Sequence, residues 1–119
     1  MSTLYERLGG AENIARISDD IVERHKINPI IKARFADVED EAAFKRRVAQ
    51  FFSMGSGGPT EYDGRTMPDA HRNMNINEIE LVAAIDDVLA ACKAHDVDDT
   101  TCNDVLAILY SLKGDVLAQ

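Results

Sequence analysis

No stretch of the chain approaches the run of about 20 apolar residues that spans a bilayer, and the opening MSTLYERLGG lacks a basic segment followed by an apolar one. Neither a membrane span nor a secretory leader is expected, and we expect a cytoplasmic protein. Basic charge is also scarce: 13 Lys and Arg stand against 21 Asp and Glu, a formal net charge of −8. Nucleic-acid binders concentrate cations to displace phosphate counterions, so this balance speaks against one. The local exception, Lys45-Arg46-Arg47, suits a solvated helix face or the neutralisation of a small anion. Cysteine is limited to Cys92 and Cys102, which lack metal-ligand spacing. Both fall on helical patterns and read as small buried side chains rather than a disulfide or a site. No second His, Cys or paired carboxylate stands at ligand spacing, which disfavours a zinc or di-iron centre built wholly by protein.

What remains is ordinary material for one folded domain: 119 residues, 45% hydrophobic and 29% charged. No window alternates as a strand would, and every clear periodicity is helical, so the fold class is all-α. Thr3 to Glu6 has the form of a capping box, with Gly9-Gly10 ending the short helix that follows. A longer helix carries Ile14, Ile17, Ile21 and Val22 to about Ile27, where Asn28-Pro29 enforces a break. Phe35 then stands alone in the polar stretch KARFADVED, where an isolated aromatic commonly plugs a core. From about Asp40 to Met54, Phe44, Val48, Phe51 and Phe52 follow one helical face, and GSGGPT breaks the chain at Gly55 to Thr60. Two helices close the chain. One runs from about Asn77 to His95 on Leu81, Ile85, Val88, Leu89 and Cys92; the other runs from about Asp99 on Val105, Leu109, Leu112 and Val116. NINE and DDTT supply their caps, and there is no internal repeat.

Of the three histidines, His25 and His95 lie at polar helix ends and read as solvated. His71 sits in GRTMPDAHRNMNI, a segment with room for about two turns of helix, with Pro68 suited to the first turn and Asn73 or Asn75 to its end. Met67, Ala70, Met74 and Ile76 offer an apolar wall beside it, with Arg65 and Arg72 nearby. A lone histidine is more often structural or exposed than a ligand, but this setting is also what a large flat ligand with an apolar body and anionic tails would need. A single protein ligand suffices for a metal only where a cofactor supplies the others, as haem does with its four pyrrole nitrogens.

TLYERLGG, Phe35 ahead of the phenylalanine stripe, GGPTEYDGRTMPDAH and the closing LKGDVLAQ together resemble a group I truncated haemoglobin of the bacterial and cyanobacterial kind. The resemblance runs in register along essentially the whole chain. It implies a two-over-two helical sandwich around haem b, with His71 as the proximal iron ligand. The other ring nitrogen of His71 is expected to donate to a backbone carbonyl, fixing its tautomer. Phe35 would lie against the haem face, Phe44, Val48 and Phe51 along the distal and inner wall, and Met67, Met74, Ile76 and Leu81 on the proximal side. Arg47 would reach a propionate, a role that an always-protonated guanidinium suits better than iron ligation. Tyr62 and Arg65 are further propionate-side residues on this resemblance. Some relatives bond the haem to a histidine in the last helix; Leu112 stands there, so the haem is expected to be non-covalent.

The sequence departs from the family at the distal side. Relatives commonly carry a tyrosine late in the second helix and often a glutamine early in the next, where this chain has Val22 and Phe44. Val22, Phe44 and Val48 thus make an apolar distal pocket. A missing hydrogen bond to bound O2 is worth on the order of 1–3 kcal/mol, or roughly tenfold to a hundredfold in affinity. Fast O2 release and little discrimination against CO are expected, with an open or water-filled sixth position; otherwise Lys45 or His25 would be the internal ligands to examine. The leading reading is a non-enzymatic, monomeric protein that reversibly binds O2, CO or NO for transport, storage or sensing. Its rivals are an NO dioxygenase or peroxidase-type enzyme served by a reductase, and a helical module that has lost its haem.

Overall fold

The computed structural model describes residues 3–59, 67–71 and 74–117. Helix α1 (Leu4–Arg7) opens on the capping box anticipated from TLYE: the Thr3 hydroxyl accepts from the Glu6 amide at 3.1 Å, and the Glu6 carboxylate accepts from the Thr3 amide at 3.4 Å. Helix α2 (Gly10–Ile27) starts from Gly9, which sits in the left-handed region at φ 98°. A side chain there would also collide with Asn13, since a Cβ would stand 2.6 Å from the Asn13 Cβ. Asn13 is held in place because its amide donates to the Leu8 carbonyl at 2.7 Å and to that of His95 at 3.3 Å. The helix stops at Asn28, whose extended backbone leads into Pro29.

A 3₁₀ turn (Lys32–Phe35) follows, then α3 (Glu41–Gly55) with Asp40 as its cap. Helix α4 (Met67–Ala70) is a single turn. Helix α5 (Glu78–Ala94) begins with a second capping box, Asn77 with Glu80, and α6 (Asp99–Ser111) begins at Asp98, which accepts from the Thr101 amide at 2.7 Å. The last helix is shorter than the periodicity suggests: it ends at Leu112, and α7 (Lys113–Val116) is a separate turn. The Leu112 amide bonds back to Leu109 over three residues, the tight closure that ends a helix, with Gly114 just beyond. Among the described residues there is no strand, only one isolated bridge between Ile76 and Leu117, and no helix long and apolar enough to cross a membrane.

Helix α3 packs on α2 and α6 on α5, and the two pairs meet where α2 crosses α5. This is the expected two-over-two sandwich. A continuous core of Leu8, Ile14, Ile17, Ile21, Val88, Ala91, Cys92, Val97, Cys102 and Val105 fills the crossing. The cysteines are free and buried, as anticipated. From α3, Ala49 and Phe52 pack against this core and Phe51 lines a crevice with Leu4, Leu8 and Val105 beside it, while Phe44 and Val48 are half-buried outside it. Helices α3 and α5 pack on α2 rather than on each other, so the end of the molecule bearing Val22, Phe35, Phe44, Leu81 and Ile85 lies outside the continuous core.

The break after α3 has a steric cause. The Gly58 amide bonds the Ser53 carbonyl at 2.7 Å, and a Cβ on Gly58 would strike the ring of Tyr5 and stand 2.6 Å from the Ser53 hydroxyl. Tyr5 in turn donates its amide to Ser56 at 3.0 Å, tying α1 to the end of α3.

Candidate functional site

His71 follows directly on α4. Its amide bonds the Met67 carbonyl at 3.2 Å, and its ring Nδ1 lies 2.7 Å from the same oxygen. A carbonyl is only an acceptor, so Nδ1 carries the hydrogen, and in the neutral ring the lone pair lies on Nε2. The half-buried ring is thus fixed in the tautomer that a metal-ligating imidazole needs, its orientation set by a backbone oxygen one turn back. Among the described residues no cluster of three or more His, Cys, Asp or Glu side chains is placed to hold a metal ion. A lone imidazole of this kind could ligate a metal only where a cofactor supplies the remaining ligands.

The other described residues that the resemblance places around haem lie on the His71 segment, on α2, on the 3₁₀ turn, on α3 and on α5. Met67, Met74 and Ile76 are half-buried on the segment carrying His71, and Leu81 is buried at the start of α5. Asn75 has the left-handed φ of 49° suited to turning the chain between them. Across α2, Val22 is buried at 2% exposure. Phe35 and Phe44 meet edge-on with centroids 6.0 Å apart. Val48 and Phe51 continue the half-buried face of α3, Phe51 also meeting Phe52 edge-on at 5.6 Å. Arg47 is exposed, with no ion-pair partner among the described residues. Tyr62 and Arg65 lie outside the described residues.

The basic run at 45 to 47 divides. Lys45 is held by Asp19 at 2.8 Å and Glu23 at 2.9 Å across the α2–α3 seam, and these hydrogen-bonded carboxylates raise its pKa.

His25 and His95 are not solvated, contrary to the sequence expectation. His25 is 9% exposed, and its Nδ1 lies 2.7 Å from the Asp87 carboxylate of α5; His95 Nε2 lies 3.2 Å from Asp20. Each histidine ends a polar helical stretch, but each finds a carboxylate on the crossing helix. No local spacing reveals a pair separated by 62 residues.

A depression of about 510 Å³ also opens between α5 and α6, lined by Leu89, Ala90, Lys93, Asp99, Cys102 and Asn103. It contains none of the residues that the resemblance places around haem. The tautomer-fixed imidazole is a specific chemical feature and the depression offers only a mixed surface, so His71 is the candidate site.

A family model described as bacterial-like globin matches residues 3–118. A group 1 truncated hemoglobin of Synechocystis sp. is 36% identical over 125 residues, covering all of both chains. The chain belongs to the bacterial-like globins, among the group 1 truncated haemoglobins. This globin is also 26% identical over 117 residues to a group 1 truncated hemoglobin of Tetrahymena pyriformis, covering 98% of this chain and 96% of that one. The crystal structure of truncated hemoglobin from T. pyriformis in its Fe(III) form matches the fold with a TM-score of 0.94 at 25% identity, over 99% of this chain and 100% of that one. The 2/2 hemoglobin from a Synechococcus, solved in the cyanomet state with covalently attached heme, matches the fold with a TM-score of 0.88 at 23% identity, over 98% of each chain.

Proposed function

We propose that this globin is one domain that binds haem b non-covalently through His71 and reversibly takes up a diatomic gas, O2, CO or NO. The observation that carries the reading is the 2.7 Å contact from His71 Nδ1 to the Met67 carbonyl, which makes Nε2 the ligating nitrogen of a neutral ring. When bound, haem would supply an iron able to take up a diatomic gas, and His71 would be the residue that holds it.

The side chains fit such a group. Met67, Met74, Ile76 and Leu81 give a macrocycle an apolar bed on the His71 side, and Phe35, Phe44, Val48 and Phe51 give it one opposite. Arg47, exposed and unpaired among the described residues, suits a carboxylate tail at the rim, and Tyr62 and Arg65 are proposed for the same side. Leu112 ends α6 half-buried and carries no nucleophile, in keeping with a haem that is not covalently attached.

Val22, Phe44 and Val48 carry no hydrogen-bond donor and no acid–base group. That favours a carrier or sensor over an oxidising enzyme, for which a polar distal group assists the chemistry. A monomer, with a reductase as its partner where turnover is sustained, belongs to the same reading.

The decisive experiment is the absorption spectrum of protein produced with adequate haem. A Soret band is expected; it should be lost in His71→Ala and partly restored by added imidazole. A Soret band of full intensity and unchanged position in His71→Ala would overturn the assignment. Sustained, reductase-driven NO consumption over many turnovers would favour the NO dioxygenase instead, and a single stoichiometric turnover the carrier.

A further inference from the structure

His25 lies beyond the residues proposed to touch haem, yet it is built into a chain of contacts that ends on them. Asp87 Oδ2 accepts from His25 Nδ1 at 2.7 Å and from the Asn28 side-chain amide at 3.1 Å. An ionised carboxylate with two donors in place fixes the imidazole in plane and orientation. The ring of His25 then stacks on Phe35, with centroids 5.1 Å apart and planes at 28°. Phe35 meets Phe44 edge-on at 6.0 Å and 72°. Both contacts fall in the range of favourable aromatic geometry. Phe35 is only half-buried, on a four-residue 3₁₀ turn. Such a turn has little internal hydrogen bonding to hold an aromatic side chain still. Arg34, next to Phe35, is clamped by Glu80 of α5, its Nη2 2.9 Å from Oε1, so the backbone of the turn and the ring of Phe35 are both tied to α5.

We propose that His25, anchored by Asp87, is a positioning residue for the distal wall: it holds Phe35, and through Phe35 it sets where Phe44 stands over the gas-binding face. The inference rests on the haem reading above and deepens it. It places control of access to an apolar pocket in a flat ring on the α2–α5 seam, away from the gas itself. It also removes His25 from the internal iron ligands, since its ring is committed between Asp87 and Phe35.

The test compares two double variants of the full chain that differ only in the ring at position 25. Asp87→Asn in both avoids leaving a buried carboxylate unpaired. His25→Leu with Asp87→Asn removes the stack; His25→Phe with Asp87→Asn restores a flat ring. The readouts are the ring signals of Phe44 in haem-loaded, CO-saturated protein labelled at phenylalanine, and the CO association rate.

With leucine, the Phe44 signals should move although residue 25 and Phe44 share only Phe35, and CO association should change by about two- to tenfold. With phenylalanine, both should return to within about twofold of the native protein. Unmoved Phe44 signals and an unchanged rate in a leucine variant that keeps its Soret band would overturn this inference alone. An equal change in both variants would also overturn it, because the ring would then be irrelevant. A native protein without a Soret band would overturn the haem reading and this inference together.

Discussion

Burial pushes the pKa of His25 below its usual 6.5, outweighing the Asp87 carboxylate that pulls it upward. The unfolded chain, whose histidine keeps the ordinary value, therefore takes up a proton first as the pH falls. Stability is independent of His25 well above pH 6.5, declines as pH falls from there to the lowered folded value, and levels off below it. Thermal melting should show this loss in the native protein, and the loss should be absent from His25→Phe with Asp87→Asn. A melting temperature that is flat across that window in native protein would contradict the assignment. A second, more acidic loss has a separate origin. The Glu80 carboxyl is held below its usual 4.5 by the bound Arg34 guanidinium, so its contribution is present above that value and fades as pH falls through the lowered one. At position 22 the prediction concerns the gas. Val22→Tyr introduces a donor into an apolar pocket and should slow O2 release by roughly ten- to a hundredfold, while overpacking costs about 1–3 kcal/mol of stability. Stopped-flow O2 dissociation measures the first effect and thermal melting the second.

Helix ends were the most legible elements in the sequence, because capping is local chemistry. Thr3, Asp40, Asn77 and Asp98 all accept the backbone N–H groups that their residue types suggest. Asn77→Ala should lower stability by about 1 kcal/mol, read as a drop in melting temperature. The glycines of GSGGPT mark a break in the sequence, but only the structure distinguishes among them. Gly57 has open space around the position of a Cβ, whereas Gly58 lies against Tyr5 and Ser53. Gly58→Ala should therefore destabilise by about 1–3 kcal/mol through overpacking at the α1–α3 junction. A melting temperature unchanged by Gly58→Ala would show that Tyr5 gives way freely. The end of α6 was misread for the opposite reason: Leu112 and Val116 keep the helical spacing, and a hydrophobic repeat cannot report that the backbone has closed into a tighter turn between them. His25 and His95 were misread because their carboxylate partners are distant in sequence.

On the scale of the whole molecule, two groups of apolar side chains contrast. One is the continuous core where α2 crosses α5, complete without any ligand. The other is the half-buried set Phe35, Phe44, Val48, Phe51, Met67, Met74 and Ile76, which the chain does not cover by itself. Any group that binds only the folded state stabilises it by mass action, and the gain falls on the elements it touches. Removing haem should therefore not melt the molecule evenly. Amide exchange is expected to accelerate at His71 and Met74 and along Phe44–Phe51, while Ile14–Ile21, Val88–Cys92 and Cys102–Val105 keep most of their protection. Helix α5 should itself be divided, its Leu81 end loosening with the pocket and its Cys92 end staying with the core. Hydrogen exchange read by mass spectrometry, on the same preparation with and without haem, makes the comparison. Uniform acceleration in all helices would mean that the core at the crossing does not stand without the cofactor. No acceleration around His71 would mean that the second population has some other cover, and the haem pocket would have to be sought elsewhere in the fold.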